Sequence, residues 1–202
     1  MNRSIALIAL IALLFCSLIA LAQTATPQPS YVSAQPPPRS KVESLLVMFS
    51  NVVITRGYTD VGGIQGDDRS ELRILALEVS SPSEKAYGVG FQLRPPDRPR
   101  EMVEAFIDED GIDSLMSALD SLEKIQRDST KMANAQATYR TPGGVEVSNV
   151  DSDGARMIVI RAIQVLPTGQ ISESGTIFRP NRLEEIRRLI RAAKERIEAA
   201  KK

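Results

Sequence analysis

From residue 74 to residue 122 the apolar positions of this chain are met again 71 residues later, without a gap. Ile74 falls on Val145, Tyr87 on Ile158, Val89 on Ile160, and Phe106-Ile107 on Ile177-Phe178. Ile112, Leu115 and Leu119 fall on Leu183, Ile186 and Ile190. Almost none of these matches is an identity, so what repeats is the pattern of burial. A pattern repeated at fixed period points to one supersecondary unit used twice, although four strands and a helix recur in many folds. The unit itself reads as strands followed by a helix. The β-branched run 47–56 is a strand, with Gly57 and Gly62-Gly63 as a bend and Gly66-Asp67-Asp68 as a turn. Leu72, Ile74 and Ala76 alternate through a second strand, and Ser81-Pro82-Ser83 turns it. Tyr87, Val89, Phe91 and Leu93 share one face of a third, opposite Gly88 and Gly90. Residues 103–107 make a fourth, and Asp108-Glu109-Asp110 opens a helix with Ile112, Leu115, Leu119 and Leu122 at helical spacing.

The second copy reads the same way, with strands at 137–141, from Val145, at 157–166 and at 172–178. A final helix after Pro180-Asn181 carries Leu183, Ile186, Leu189 and Ile190. The expected fold is α+β: a duplicated unit of four antiparallel strands plus one helix, related by a pseudo-twofold, with both helices covering sheet faces. The single domain spans 41–202, its halves meeting near residue 130.

The residues before it are of another kind. Arg3 precedes a nearly unbroken apolar run, 5–22, that ends Ala20-Leu21-Ala22 before polar Gln23-Thr24. Small residues at those two positions are what a signal peptidase reads, and no basic residue follows until Arg39. The expectation is a signal peptide cleaved after Ala22, with an N-terminal membrane anchor as the alternative, since 18 apolar residues just reach across a bilayer. Residues 23–40 hold five prolines among Thr, Ser, Gln and Ala, and read as a linker without enough apolar surface to fold.

Composition removes several chemistries. The chain has no His and one Cys, Cys16, which cleavage would remove. Triads built on imidazole, disulfide frameworks and Cys/His metal sites are therefore excluded. The 25 basic and 25 acidic residues balance, leaving no global field for a polyanion. No cofactor is expected.

Four local patterns remain as candidates. Asn149, Asp151 and Asp153, with Gly154, match the start of a calcium loop, although its twelfth position is Ile160 rather than Glu and Asp-Gly between alternating runs is a hairpin turn. Asp108, Asp110 and Asp113 form a second acidic group suited to a divalent cation, although consecutive acids at a helix start are commonly caps that complement its dipole. Ser121-Leu122-Glu123-Lys124 has the Ser-x-x-Lys spacing of acylating serine enzymes, but sits late in a helix and lacks the companion motifs. The terminal segment 182–202 has eight basic and four acidic residues, whereas 101–130 has nine acidic and two basic. Arg191, Lys194, Arg196, Lys201 and Lys202 are accordingly the partner-binding candidates. Their last two turns form either a solvated helix end or a projecting basic arm, reaching an anionic envelope surface or the acidic segment of another copy.

The doubled strands-plus-helix plan resembles the Whirly and Pur-repeat nucleic-acid-binding proteins in its order of elements. That resemblance implies single-strand binding on an exposed sheet, which takes a basic groove and stacking aromatics from Phe49, Tyr58, Tyr87, Phe91 and Tyr139. The acidic segment and the export signal argue against nucleic acid. The stretch Tyr139-Arg140-Thr141-Pro142-Gly143-Gly144-Val145-Glu146-Val147 is similar to one in an uncharacterised family of exported bacterial proteins, a resemblance that implies no activity. The functional expectation is an exported, non-enzymatic binding or structural protein of the bacterial envelope. The alternatives are a carboxylate-dependent hydrolase and a single-strand-binding module. Intact mass of the protein recovered after export is expected to begin at Gln23; retention of Arg3 would show an anchor instead.

Overall fold

The computed structural model describes residues 40–47, 51–98, 100–125, 130–166 and 168–202. The apolar run and nearly all of the linker lie outside them. Two four-stranded antiparallel meanders are present, each followed by a helix. The first contains β1 (Thr55–Gln65), β2 (Glu71–Ser80), β3 (Lys85–Arg94) and β4 (Val103–Asp108), and the second β5 (Ala135–Arg140), β6 (Val145–Ser152), β7 (Ala155–Val165) and β8 (Ile171–Phe178). Both are in simple sequence order. A short helix α1 (Lys41–Leu46) precedes β1; α2 (Ile112–Lys124) follows β4, and α3 (Leu183–Ala200) follows β8.

The repeat governs geometry to the residue through most of its length. The 3-10 turn Glu109–Gly111 and the start of α2 at Ile112 recur as Pro180–Arg182 and Leu183. Ile74 pairs with Phe91 across β2 and β3, and the positions 71 later, Val145 and Ala162, pair across β6 and β7. Within the repeated stretch 74–122 the difference lies in the fourth strand: Val89 pairs with Ile107, but Ile160 pairs with Thr176 rather than Phe178. A slip of two residues keeps every side chain on its face, so the core survives it.

Each helix packs on the sheet of the other half. The α3 helix lies along β1, β2 and β3, whereas α2 lies against β5 and β6. Ile112, Leu115, Leu119 and Leu122 of α2 are at most 5% exposed, and so are Leu183, Ile186, Leu189 and Ile190 of α3. They join Leu72, Ile74, Val89, Phe91, Val147, Ile158, Ile160 and Phe178 in a single core. The exchange extends to the hairpin loops. Asp67 N–H of the β1–β2 loop donates to Ile177 O on β8, and Phe106 N–H on β4 donates to Gly143 O of the β5–β6 loop. Phe106 and Ile177 are equivalent positions of the repeat, but Phe106 donates to its loop and Ile177 accepts from its own.

Two features depart from the sequence reading. Residues 51–54 carry no strand, and residues 48–50 lie outside those described, so the first strand starts at Thr55 rather than 47. Val52 and Val53 have no sheet neighbour and are 44% and 79% exposed. Gly62 and Gly63, read as a bend, lie within β1, where the register shifts between Asp60 and Gly62. The second departure is α1, too short at six residues to display helical period. It is fixed by a carboxylate distant in sequence: Asp108 accepts from Lys41 N–H (2.8 Å) and Val42 N–H (3.0 Å), while Ser40 Oγ accepts from Glu43 N–H. Ser40 therefore belongs to the domain rather than the linker. Val42 and Leu45 then cover Leu75, Leu77, Val79, Ala86 and Phe106, which explains why β2 is apolar on both faces.

A Cβ at Gly143 would lie 1.9 Å from Phe106 O, a backbone atom that cannot yield without breaking the loop-to-strand contact. Gly143→Ala is therefore expected to destabilise by about 2–4 kcal/mol in urea unfolding. Gly57→Ala, whose added methyl would meet nothing nearer than 3.9 Å, should stay within about 0.5 kcal/mol apart from its strand preference.

Candidate functional site

The C-terminal end of α2 leaves carbonyls without helical partners, and the second sheet supplies them. Along β6 the inward positions are Val145, Val147, Asn149 and Asp151, and the first two belong to the apolar core. Beyond them the face turns polar. Asn149 Nδ2 donates to Leu122 O at 2.6 Å. Arg156, opposite Asp151 on β7, donates through Nη2 to Glu123 O and Ile125 O, both at 2.6 Å, and through Nε to Asn149 Oδ1 at 3.3 Å. A guanidinium at a helix C-terminus also complements the negative end of the helix dipole. Asn149 and Arg156 are thus the cap of α2.

Asp151 is left over. Its Oδ1 is buried and has no hydrogen-bond partner among the described residues, which is costly for a carboxylate oxygen. It borders a cavity of about 350 Å³, whose polar lining is Thr130, Asn134, Gln136, Asn149, Asp151 and Arg156. That volume is at the lower end of small-molecule sites.

The calcium-loop pattern is therefore divided. Asn149 and Asp151 share one face because β6 continues through Ser152, and only Asp153 and Gly154 are left to turn, with φ of 52° and 80°. Both signs suit a two-residue hairpin. Asp153 is exposed at the apex, its N–H donating to Asn134 Oδ1 at 3.1 Å. The other acidic group diverges as well. Asp108 caps α1, Asp110 takes Lys41 Nζ at 2.6 Å, and Asp113 takes Lys194 Nζ at 2.6 Å. Among the described residues no three Asp, Glu, His or Cys side chains converge in a way that could hold a metal ion. Ser121 Oγ donates to Ser117 O, within its own helix and exposed.

The basic end of α3 meets the acidic segment of its own chain. Lys194 reaches Asp113, and Lys201 reaches Glu109. The hydrogen bond that Lys201 donates to Glu109, and that carboxylate's charge, hold the Lys201 ammonium above the usual lysine range, and Asp110 does the same for Lys41. Arg187 is 7% exposed, with Nη2 at 2.7 Å from Glu123 and 3.0 Å from Asp120 of α2. Burial there opposes its charge, yet those carboxylates and Glu184 raise its pKa on balance. Arg191 pairs with Glu184, whose carboxyl that hydrogen bond holds below its usual range. These replace the Arg191–Glu195, Lys194–Glu198 and Glu198–Lys202 pairs that helical spacing suggests. Arg196 lies beside β1, and Lys202 is exposed at the terminus.

Of the aromatics that a single-strand-binding sheet would use, Phe91 is fully buried, Tyr87 and Tyr139 pack on the core, and Tyr58 is 69% exposed. Phe49 lies outside the described residues. One further polar cluster escaped the sequence reading: Glu146, 1% exposed, is held by Arg140 at 2.5 Å and Arg161 at 3.0 Å. Its signal was a single acid in an apolar strand, flanked by arginines that register alone brings together. No helix among the described residues is long and apolar enough to cross a membrane. No family model matches the chain, and no curated protein matches it significantly.

The final turns of α3 are docked rather than projecting, because Ala193 and Ile197 are 0% and 1% exposed. Deleting residues 196–202 is expected to cost about 2–4 kcal/mol, most of it reproduced by Ile197→Ala. Replacing Arg196 and Lys202 by Ala should change thermal unfolding little.

Proposed function

We propose that this chain is an exported bacterial envelope protein that binds a small ligand without transforming it, holding a cationic or hydrogen-bond-donating group against Asp151. The observation that carries the reading is the buried Asp151 Oδ1, without a hydrogen-bond partner among the described residues, beside a cavity of about 350 Å³. A carboxylate oxygen kept from water and from protein donors is stabilised by a ligand that brings the donor with it. Thr130, Asn134 and Gln136 add neutral polar groups that select for a polar molecule. Hydrolysis on paired carboxylates takes a second acid about 5–10 Å from the first. Among the described residues, the cavity's titratable lining is one acid and one arginine, and the arginine is engaged with helix carbonyls. This favours binding. The exported part of the reading rests on the signal-peptide pattern of residues 3–22.

Thermal unfolding of the exported chain against diamines, amino-acid amides, calcium and a chelator tests the reading. A ligand at about 100 times its dissociation constant adds about 2.7 kcal/mol, a shift of several degrees. Asp151→Asn is expected to leave the unliganded protein folded and to abolish that shift. Turnover of the stabilising ligand would favour the hydrolase instead, and a shift that survives Asp151→Asn would place binding elsewhere.

A further inference from the structure

The first sheet ends at β1, which among the described residues has β2 as its one neighbour. Residues 55–60 are all exposed, and Tyr58 is 69% exposed. An open strand edge presents a row of backbone donors and acceptors, and edges that stay single are guarded by charged side chains, proline or a bulge. Residues 55–60 contain no proline, and their two charges, Arg56 and Asp60, are of opposite sign. The bulge comes later, between Asp60 and Gly62, so the regular part of the strand runs 55–60 and contains Tyr58.

Strand alternation puts Arg56, Tyr58 and Asp60 on one face. Both charged side chains are held in place. Arg56 Nη2 is bonded to Glu104, with the guanidinium 5.9 Å from the Phe106 ring centroid. Asp60 Oδ2 is 2.9 Å from Arg73 Nη2, and its Oδ1 accepts from Gly62 N–H. The sequence around Tyr58 is self-complementary for antiparallel pairing. With a twofold at Tyr58, Arg56 of each copy stands opposite Asp60 of the other, and the two tyrosines stand opposite each other. Opposite charges and aromatic pairs are the favourable cross-strand neighbours. The charges then alternate without a break: Glu104, Arg56, Asp60 of the second copy, Arg73 of the second copy.

We propose that this chain self-associates through β1, two copies pairing antiparallel about Tyr58 to join their first sheets into one. The arrangement is isologous and closes at two copies, and it is independent of the ligand reading at Asp151. Sedimentation of the full exported chain across a concentration series tests it, with melting temperature recorded for every variant. The expected result is a reversible dimer that weakens as salt rises. Asp60→Arg, which sets Arg against Arg twice, should weaken it about tenfold or more. Arg56→Asp combined with Asp60→Arg restores opposite charges and should restore the dimer. Tyr58→Lys, at an exposed position, should also dissociate it while leaving the monomer folded, and serves if Asp60→Arg impairs folding. A monomer at every concentration up to about 1 mM, or a dimer indifferent to both Asp60→Arg and Tyr58→Lys, would overturn the proposal. So would failure of the double reversal to recover association in a folded protein.

Discussion

Each meander has an apolar face that its own helix does not cover. Everything else in the domain follows from that deficit. The face of β1–β3 is closed by α3, and the face of β5 and β6 by α2. Because each half supplies what the other lacks, the two faces and two helices make a single core. The same reciprocity fixes the hairpin loops, where Asp67 and Gly143 reach the fourth strand of the opposite half. Even the cavity at Asp151 derives from it. Crossing to the second sheet, α2 ends above the sheet's margin, where Asn149 and Arg156 become its cap and Asp151 the residue beside them.

The sequence reading recovered the elements that repeat. The 71-residue offset placed β2, β3, β6, β7 and both long helices, and their burial follows the apolar positions that defined it. Local periodicity cannot say which sheet a helix covers, because Leu115 and Ile186 look alike whichever face receives them. That gap decided the reading of the C-terminal charges. An excess of bases in 182–202 and of acids in 101–130 was legible as two patches seeking partners. The exchange of helices makes them partners of each other, through Lys194–Asp113, Lys201–Glu109 and Arg187–Glu123. Of the site, Asn149 and Asp151 were visible as oxygen-bearing residues two apart. Arg156 was not, since its role depends on carbonyls of a helix more than thirty positions away.

The two halves differ most where the first carries α1. Asp108, which accepts from the first two backbone N–H groups of that helix, corresponds in the repeat to Arg179, a residue that cannot cap a helix start. The outer face of the second sheet is correspondingly built from charged and polar groups at its centre, with Glu146 held between Arg140 and Arg161. The differences between the halves are therefore concentrated on the outward surfaces, while the apolar positions of the interior correspond.

The exchange of helices also sets an order of events in the life of the chain. The apolar face of β1–β3 is closed by residues that begin at Leu183 of a 202-residue chain, so nothing made earlier can bury it. Contacts so distant in sequence form late and slowly. A ribosome that has finished the first meander has produced a surface that must wait, open, for the last eighteen-residue helix. Apolar surface left open in that interval is prone to aggregation, so the first meander is the part of the chain most at risk while it is being made.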